Sequence, residues 1–151
     1  LLAQAPDDMA PVILHSDFKL DNCLLDDDGA ITTILDWDMG TRGHPMMDLA
    51  TLLSYWTEPQ DPPCMHELGQ MPTATPGFPT RAEAIAEYAR LSGRDVSRIE
   101  VWRILALLKL GVVFCQLHRT WEAGADTDGR HAGFADLGRA ILGHAAMQTR
   151  G

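Results

Sequence analysis

The chain has 151 residues, 46% hydrophobic and 22% charged, and a net charge of −9 from 21 acidic and 12 basic side chains. That length and mix suit one domain, residues 1–151, with a sizeable core, and the acidic balance argues against a nucleic-acid partner, whose binding draws on clustered Lys and Arg. No apolar run reaches the roughly 18–20 residues of a membrane span, the first residues lack the basic-then-apolar order of a secretory leader, and three cysteines without metal spacing suit a reducing cytoplasm better than a disulfide scaffold.

In chain order, Leu1-Leu2-Ala3 reads as the tail of a preceding helix, so the chain is expected to be cut from something longer. Val12-Ile13-Leu14 follows Pro11 as a short strand. Residues 23–25 and 30–35 predict two more strands, the latter rich in β-branched residues, joined by a turn at Asp26-Asp27-Asp28-Gly29. Residues 40–45 read as a loop, and Pro45 suits the first helical position of an amphipathic helix over 46–56. The proline-rich stretch 57–79 predicts an irregular surface excursion. Thr80 with Glu83 is a capping-box pair that opens a helix ending at Ser92-Gly93. Ser97 with Glu100 predicts the start of a long helix to about 122, apolar nearly all round between 105 and 114 and therefore buried. A polar loop at 126–130 leads to a last helix over 134–147. Short strands followed by a mostly helical part make the fold class α+β.

The strand part carries the chemistry. His15-Ser16-Asp17-Phe18-Lys19-Leu20-Asp21-Asn22 is followed fourteen residues later by Asp36, in Ile34-Leu35-Asp36-Trp37-Asp38. The spacing H-x-D-x-K-x-x-N, then D, is that of a kinase catalytic loop and its magnesium aspartate. Phosphoryl transfer needs a carboxylate to orient the attacking hydroxyl and oxygen ligands to hold Mg2+ on the phosphates of ATP. Asp17 is the candidate base. Asn22 and Asp36 are the candidate metal ligands, and two suffice because Mg2+ keeps waters and shares substrate phosphates. The predicted hairpin brings the two together. Lys19 could neutralise the transferring phosphoryl group or be a plain surface lysine. His15 reads as a buried hydrogen-bonding residue, the acidic run 26–28 as a solvated turn, and Asp48 as a structural acceptor for a helix end or for backbone N–H groups of the catalytic loop. His118, His131 and His144 lack metal spacing.

Three motifs in order, the two above and Gly43-His44-Pro45-Met46-Met47-Asp48-Leu49-Ala50, resemble the aminoglycoside phosphotransferase (APH) and choline kinase-like family. Pro76-Gly77-Phe78-Pro79-Thr80-Arg81 and residues 101–117 look like the branch related to the kinase-like domain of acyl-CoA dehydrogenase fusions. The resemblance implies a protein kinase-like C-terminal lobe, with Asp17 as catalytic aspartate, Lys19 as a phosphate contact, and Asn22 and Asp36 on magnesium. It also implies an N-terminal lobe with the nucleotide clamp, for which no G-x-G-x-x-G or V-A-I-K pattern stands before His15. The family usually has Gly where this chain has Ser16, a change an extended backbone would tolerate. The expected activity is transfer of the γ-phosphate of ATP to a small-molecule hydroxyl, with the isolated chain itself expected to be inactive. The alternative is a non-catalytic module that holds a ligand or partner.

Overall fold

The computed structural model describes residues 9–149, so the helix tail expected at Leu1-Leu2-Ala3 lies outside the described residues. Strands come first: β1 (Val12–Leu14), β2 (Cys23–Leu25), β3 (Ile31–Ile34) and β4 (Thr41–Gly43). Helices follow: α1 (Met46–Tyr55), α2 (Pro63–Leu68), α3 (Arg81–Ser92), α4 (Ile99–Glu122) and α5 (Phe134–Gln148). The strands form two antiparallel pairs, β2 with β3 and β1 with β4. The α+β architecture is as expected from the pattern of the sequence.

The β2–β3 hairpin turns where Asp26 accepts the backbone N–H groups of Asp28 and Ala30 and Gly29 takes φ +82°, a conformation open to glycine. The second pair was not anticipated. Residues 41–43, expected as loop, pair with β1 in the register Val12↔Gly43 and Leu14↔Thr41. Three residues carry too little alternation to announce a strand; the partner about thirty residues upstream supplies the order. This pair returns the chain to the start of β1 and sets α1 directly behind the loop that follows β1.

The helical block holds the core. Ala50, Leu53, Leu107 and Ile141 have no exposed surface, and Met46 and Met65 nearly none. Helices α4 and α5 touch backbone to backbone. A Cβ on Gly138 would sit 2.7 Å from the carbonyl oxygen of Gly111, and one on Gly111 would sit 3.0 Å from that of Gly138. Those two glycines therefore set the helix separation. Helix α4 is the buried central helix expected, but Ser97 does not cap it. Ser97 is taken up by Asp95, which accepts both its N–H and its hydroxyl, a local Asx contact that competes with the cap. The Thr80–Glu83 capping box of α3 is present in both directions.

Residues 57–79 are not a surface excursion. They contain α2 and bury Cys64, Met65, Leu68 and Met71 against α4 and α5. Thr57 and Thr73 exchange buried hydrogen bonds, and Arg81 ties the segment down through Asp61, Glu58 and the Trp56 carbonyl. Prolines set local backbone angles, but apolar side chains spaced between them decide burial. Among the described residues no helix is long and apolar enough to cross a membrane.

Candidate active site

The H-x-D-x-K-x-x-N loop runs from the end of β1 to the start of β2. His15 is buried, with Nε2 2.7 Å from the Leu35 carbonyl oxygen, the structural role expected for it. The loop then turns sharply. Ser16 has φ +68°, in the left-handed region that a Cβ disfavours. The backbone is thus not extended there, which explains why glycine suits the position in the family and corrects the expectation for Ser16. Two groups hold the turn. Asp48 at the head of α1 accepts the N–H groups of His15 (2.7 Å) and Ser16 (2.8 Å), and Lys109 donates to the Ser16 carbonyl at 2.7 Å. Lys109 is the lysine that interrupts the apolar face of α4, and this bond reaches across 93 residues of sequence.

Asp17 follows the turn with both carboxylate oxygens engaged. Oδ2 accepts from Lys19 Nζ at 2.7 Å and Oδ1 from the Tyr55 hydroxyl at 2.5 Å. Burial by itself would raise the Asp17 pKa, but the hydrogen bonds of Lys19 and Tyr55 and the Lys19 charge outweigh it and hold the carboxyl below its ordinary value. Burial and the adjacent carboxylate push the Tyr55 phenol far upward, so it stays a protonated donor. Lys19 lies 5.2 Å from the centre of the Tyr55 ring, a cation–π contact that completes the cluster.

Asn22 is buried, and its amide nitrogen donates to the Asp17 carbonyl at 2.9 Å. That bond leaves its side-chain oxygen as the atom suited to a cation. The Leu35 N–H donates to the Asn22 carbonyl at 2.8 Å, which sets Asp36 at the same end of the hairpin as Asn22. Asp36 has φ +60°, an exposed side chain, and no hydrogen bond or ion pair among the described residues. An aspartate held in a strained conformation without a partner fits a metal ligand. One neutral and one charged oxygen form a hard donor set that suits Mg2+. Among the described residues no three His, Cys, Asp or Glu side chains gather to hold a metal.

A cleft of about 320 Å3 opens beside Asp17, with Tyr55, Lys19 and Ser16 in its lining. Leu110, Val113 and Phe114 of α4 and Phe134 of α5 give it an apolar wall, and Lys109, Arg130 and His131 add cationic or ionisable groups. Asp17 is the one carboxylate in that lining. Sequence reasoning missed Tyr55, Lys109 and the segment 129–133. For Tyr55 a signal existed: it stands seven residues after Asp48, two turns along the same face of α1.

Residues 1–84 match the model of the APH family, described as phosphotransferase enzyme family. The chain is 34% identical to mouse acyl-CoA dehydrogenase family member 11 over 129 residues, which is 82% of this chain and 16% of the mouse protein. It is 34% identical to the rat protein of that name over 63% of the chain and 30% identical to the human one over 62%, in each case 12% of the relative's length. No solved structure matches. The chain therefore belongs to the phosphotransferase enzyme family, on the branch that its sequence motifs suggested. It spans about a sixth or less of the length of these relatives.

Proposed function

We propose that this chain is the C-terminal, kinase-like lobe of an ATP- and Mg2+-dependent phosphotransferase that acts on a small-molecule hydroxyl. The observation that carries the reading is the cluster at the loop. Asp17 stands at a cleft, Asn22 turns its amide to the Asp17 backbone, and Asp36, without a partner among the described residues, follows Leu35, whose N–H bonds the Asn22 carbonyl at the hairpin mouth. Asn22 and Asp36 would hold Mg2+, which when bound supplies positive charge to the phosphate oxygens. Asp17 accepts the proton of the acceptor hydroxyl as that oxygen bonds the γ-phosphorus and the bond from phosphorus to the ADP oxygen breaks. Lys19, 2.7 Å from Asp17, would follow the charge as it moves from the carboxylate to the transferring group.

The lining also bears on the acceptor. The wall of α4 suits an alcohol with an apolar body. Among the described residues, nine of the thirteen exposed large apolar side chains, Ile13 and Met39 among them, fall between residues 13 and 39. Such a concentration suits the docking of a nucleotide-holding N-terminal lobe on this part of the chain. The cysteines are free, which fits a cytoplasmic protein.

The test is ATP consumption over a panel of alcohols by the full-length polypeptide and by its Asp17→Asn variant. The variant keeps size but loses the proton acceptor, so turnover should fall by about 10²–10⁴-fold while Mg-ATP binding persists. The 151-residue chain by itself should bind Mg-ATP weakly in calorimetry and turn over little or nothing. Full-length protein that consumes no ATP with any alcohol would favour the non-catalytic module, and near-normal turnover by the variant would remove Asp17 from the chemistry.

A further inference from the structure

We propose that Tyr55 is a positioning residue for the transfer step, holding one carboxylate oxygen of Asp17 so that the other faces the acceptor. The inference rests on the phosphotransferase reading above. It begins with α1, which grips the catalytic loop twice. At its first turn Asp48 takes the backbone N–H groups of His15 and Ser16, and at its last residue Tyr55 takes the side chain of Asp17. Seven residues separate the two grips, so both lie on one face of one rigid element. The first grip sets where the loop backbone lies, and the second sets the rotation of the base about its own side-chain bonds.

Asp17 needs that second grip. It follows a strained turn at Ser16 and is only partly buried. Its other partners are Lys19, a flexible side chain from the same loop, and the Asn22 amide at 3.4 Å. Tyr55 differs from both. It is 8% exposed and packed in the cluster of Leu110, Phe114 and Leu137, so its hydroxyl is presented from the core and has little freedom to move. Each carboxylate oxygen has two acceptor sites. The phenol uses one on Oδ1, and Lys19 is the partner that can leave Oδ2 when an acceptor arrives. Loss of the phenol oxygen would leave the carboxylate free to rotate away from the acceptor, and displacement of a reacting group by about 1 Å costs up to about 10²-fold in rate.

The test uses the full-length polypeptide with Mg-ATP and with water as the phosphoryl acceptor, since water meets the same base. Wild type, Tyr55→Phe, Asp17→Asn and the double variant are compared. Tyr55→Phe should lower kcat by about 10–100-fold with KM for Mg-ATP unchanged, and should cost nothing further once Asp17 is Asn, because the two residues act as one unit. To separate loss of the donor from loss of fold, 3-fluorotyrosine is placed at position 55. It keeps ring and donor and should retain the wild-type kcat. Tyr55→Phe with wild-type kcat, or losses that multiply in the double variant, would overturn the positioning role while leaving the phosphotransferase reading intact. A wild-type protein that consumes no ATP with water or any alcohol would remove both.

Discussion

The strand region, residues 12–43, and the helical block behind it are opposites. The strand region carries both non-glycine residues with positive φ among the described residues, Ser16 and Asp36, and most of the exposed apolar side chains. Its strands are three or four residues long. The block has the buried clusters, the capping box of α3 and the close crossing of α4 on α5. Every candidate site residue chosen from the motifs belongs to the first region, yet three side chains of the second, Asp48, Tyr55 and Lys109, hold the loop after β1 in place. A site can thus be strained and exposed because a rigid partner over-determines its geometry.

The sharpest way to break this comparison is to cut the grip at the head of α1. Asp48→Ala leaves two loop N–H groups without their charged acceptor, and bonds of that kind contribute about 1.5–3 kcal/mol each. We expect a loss of about 3 kcal/mol in urea unfolding, together with loss of activity. A variant as stable as wild type would mean that the loop holds itself. The next step attacks the block from within. Gly138→Ala drives a methyl group against the Gly111 carbonyl and the Cys115 backbone, which cannot swing aside as a side-chain tip would. Overpacking of this kind costs about 1–3 kcal/mol, and the melting temperature should fall without any change at the strands.

Acid should weaken the block before the loop. Burial by itself would raise the Asp61 pKa, but its bonds to Arg81 and the Glu58 backbone hold it below the ordinary value. Burial and the nearby Arg103 lower the pKa of His144. Both groups bind protons more readily unfolded than folded, so stability falls with pH. The His144 contribution is full above about 6.5 and declines as pH drops toward its depressed native value; that of Asp61 is full above about 4 and is lost below it. Melting temperatures measured from pH 8 to pH 3 should fall in two stages, and Asp61→Asn should shrink the lower one, leaving the part that Asp17 contributes. The smallest expected effect is at the strained turn. Ser16→Gly relieves about 1–2 kcal/mol of left-handed strain but adds about 0.5–1 kcal/mol of unfolded-chain freedom. A slight rise in melting temperature is expected, and a fall would show that Ser16 makes a contribution beyond its backbone.

Much of this molecule was legible in short stretches of sequence, because the interactions that make them are local. The Thr80–Glu83 box spans one turn, the turn before β3 is closed by Asp26 and Gly29, and the H-x-D-x-K-x-x-N run compresses a whole constellation into eight residues. The apolar run of α4 announced a buried helix. What lay beyond the sequence depends on partners far along the chain. The β1–β4 pairing joins a segment that reads as a strand to residues 41–43, which have no strand signal of their own. Burial of residues 57–79 is decided by the apolar surface that α4 and α5 present, against the expectation raised by their prolines. Ser97 had two local partners to choose from, and the geometry of Asp95 prevailed. Tyr55 and Lys109 reach Asp17 and Ser16 across 38 and 93 residues. Spacing along a chain reveals which groups share a loop or a helix face; only packing decides which of those faces meets the loop.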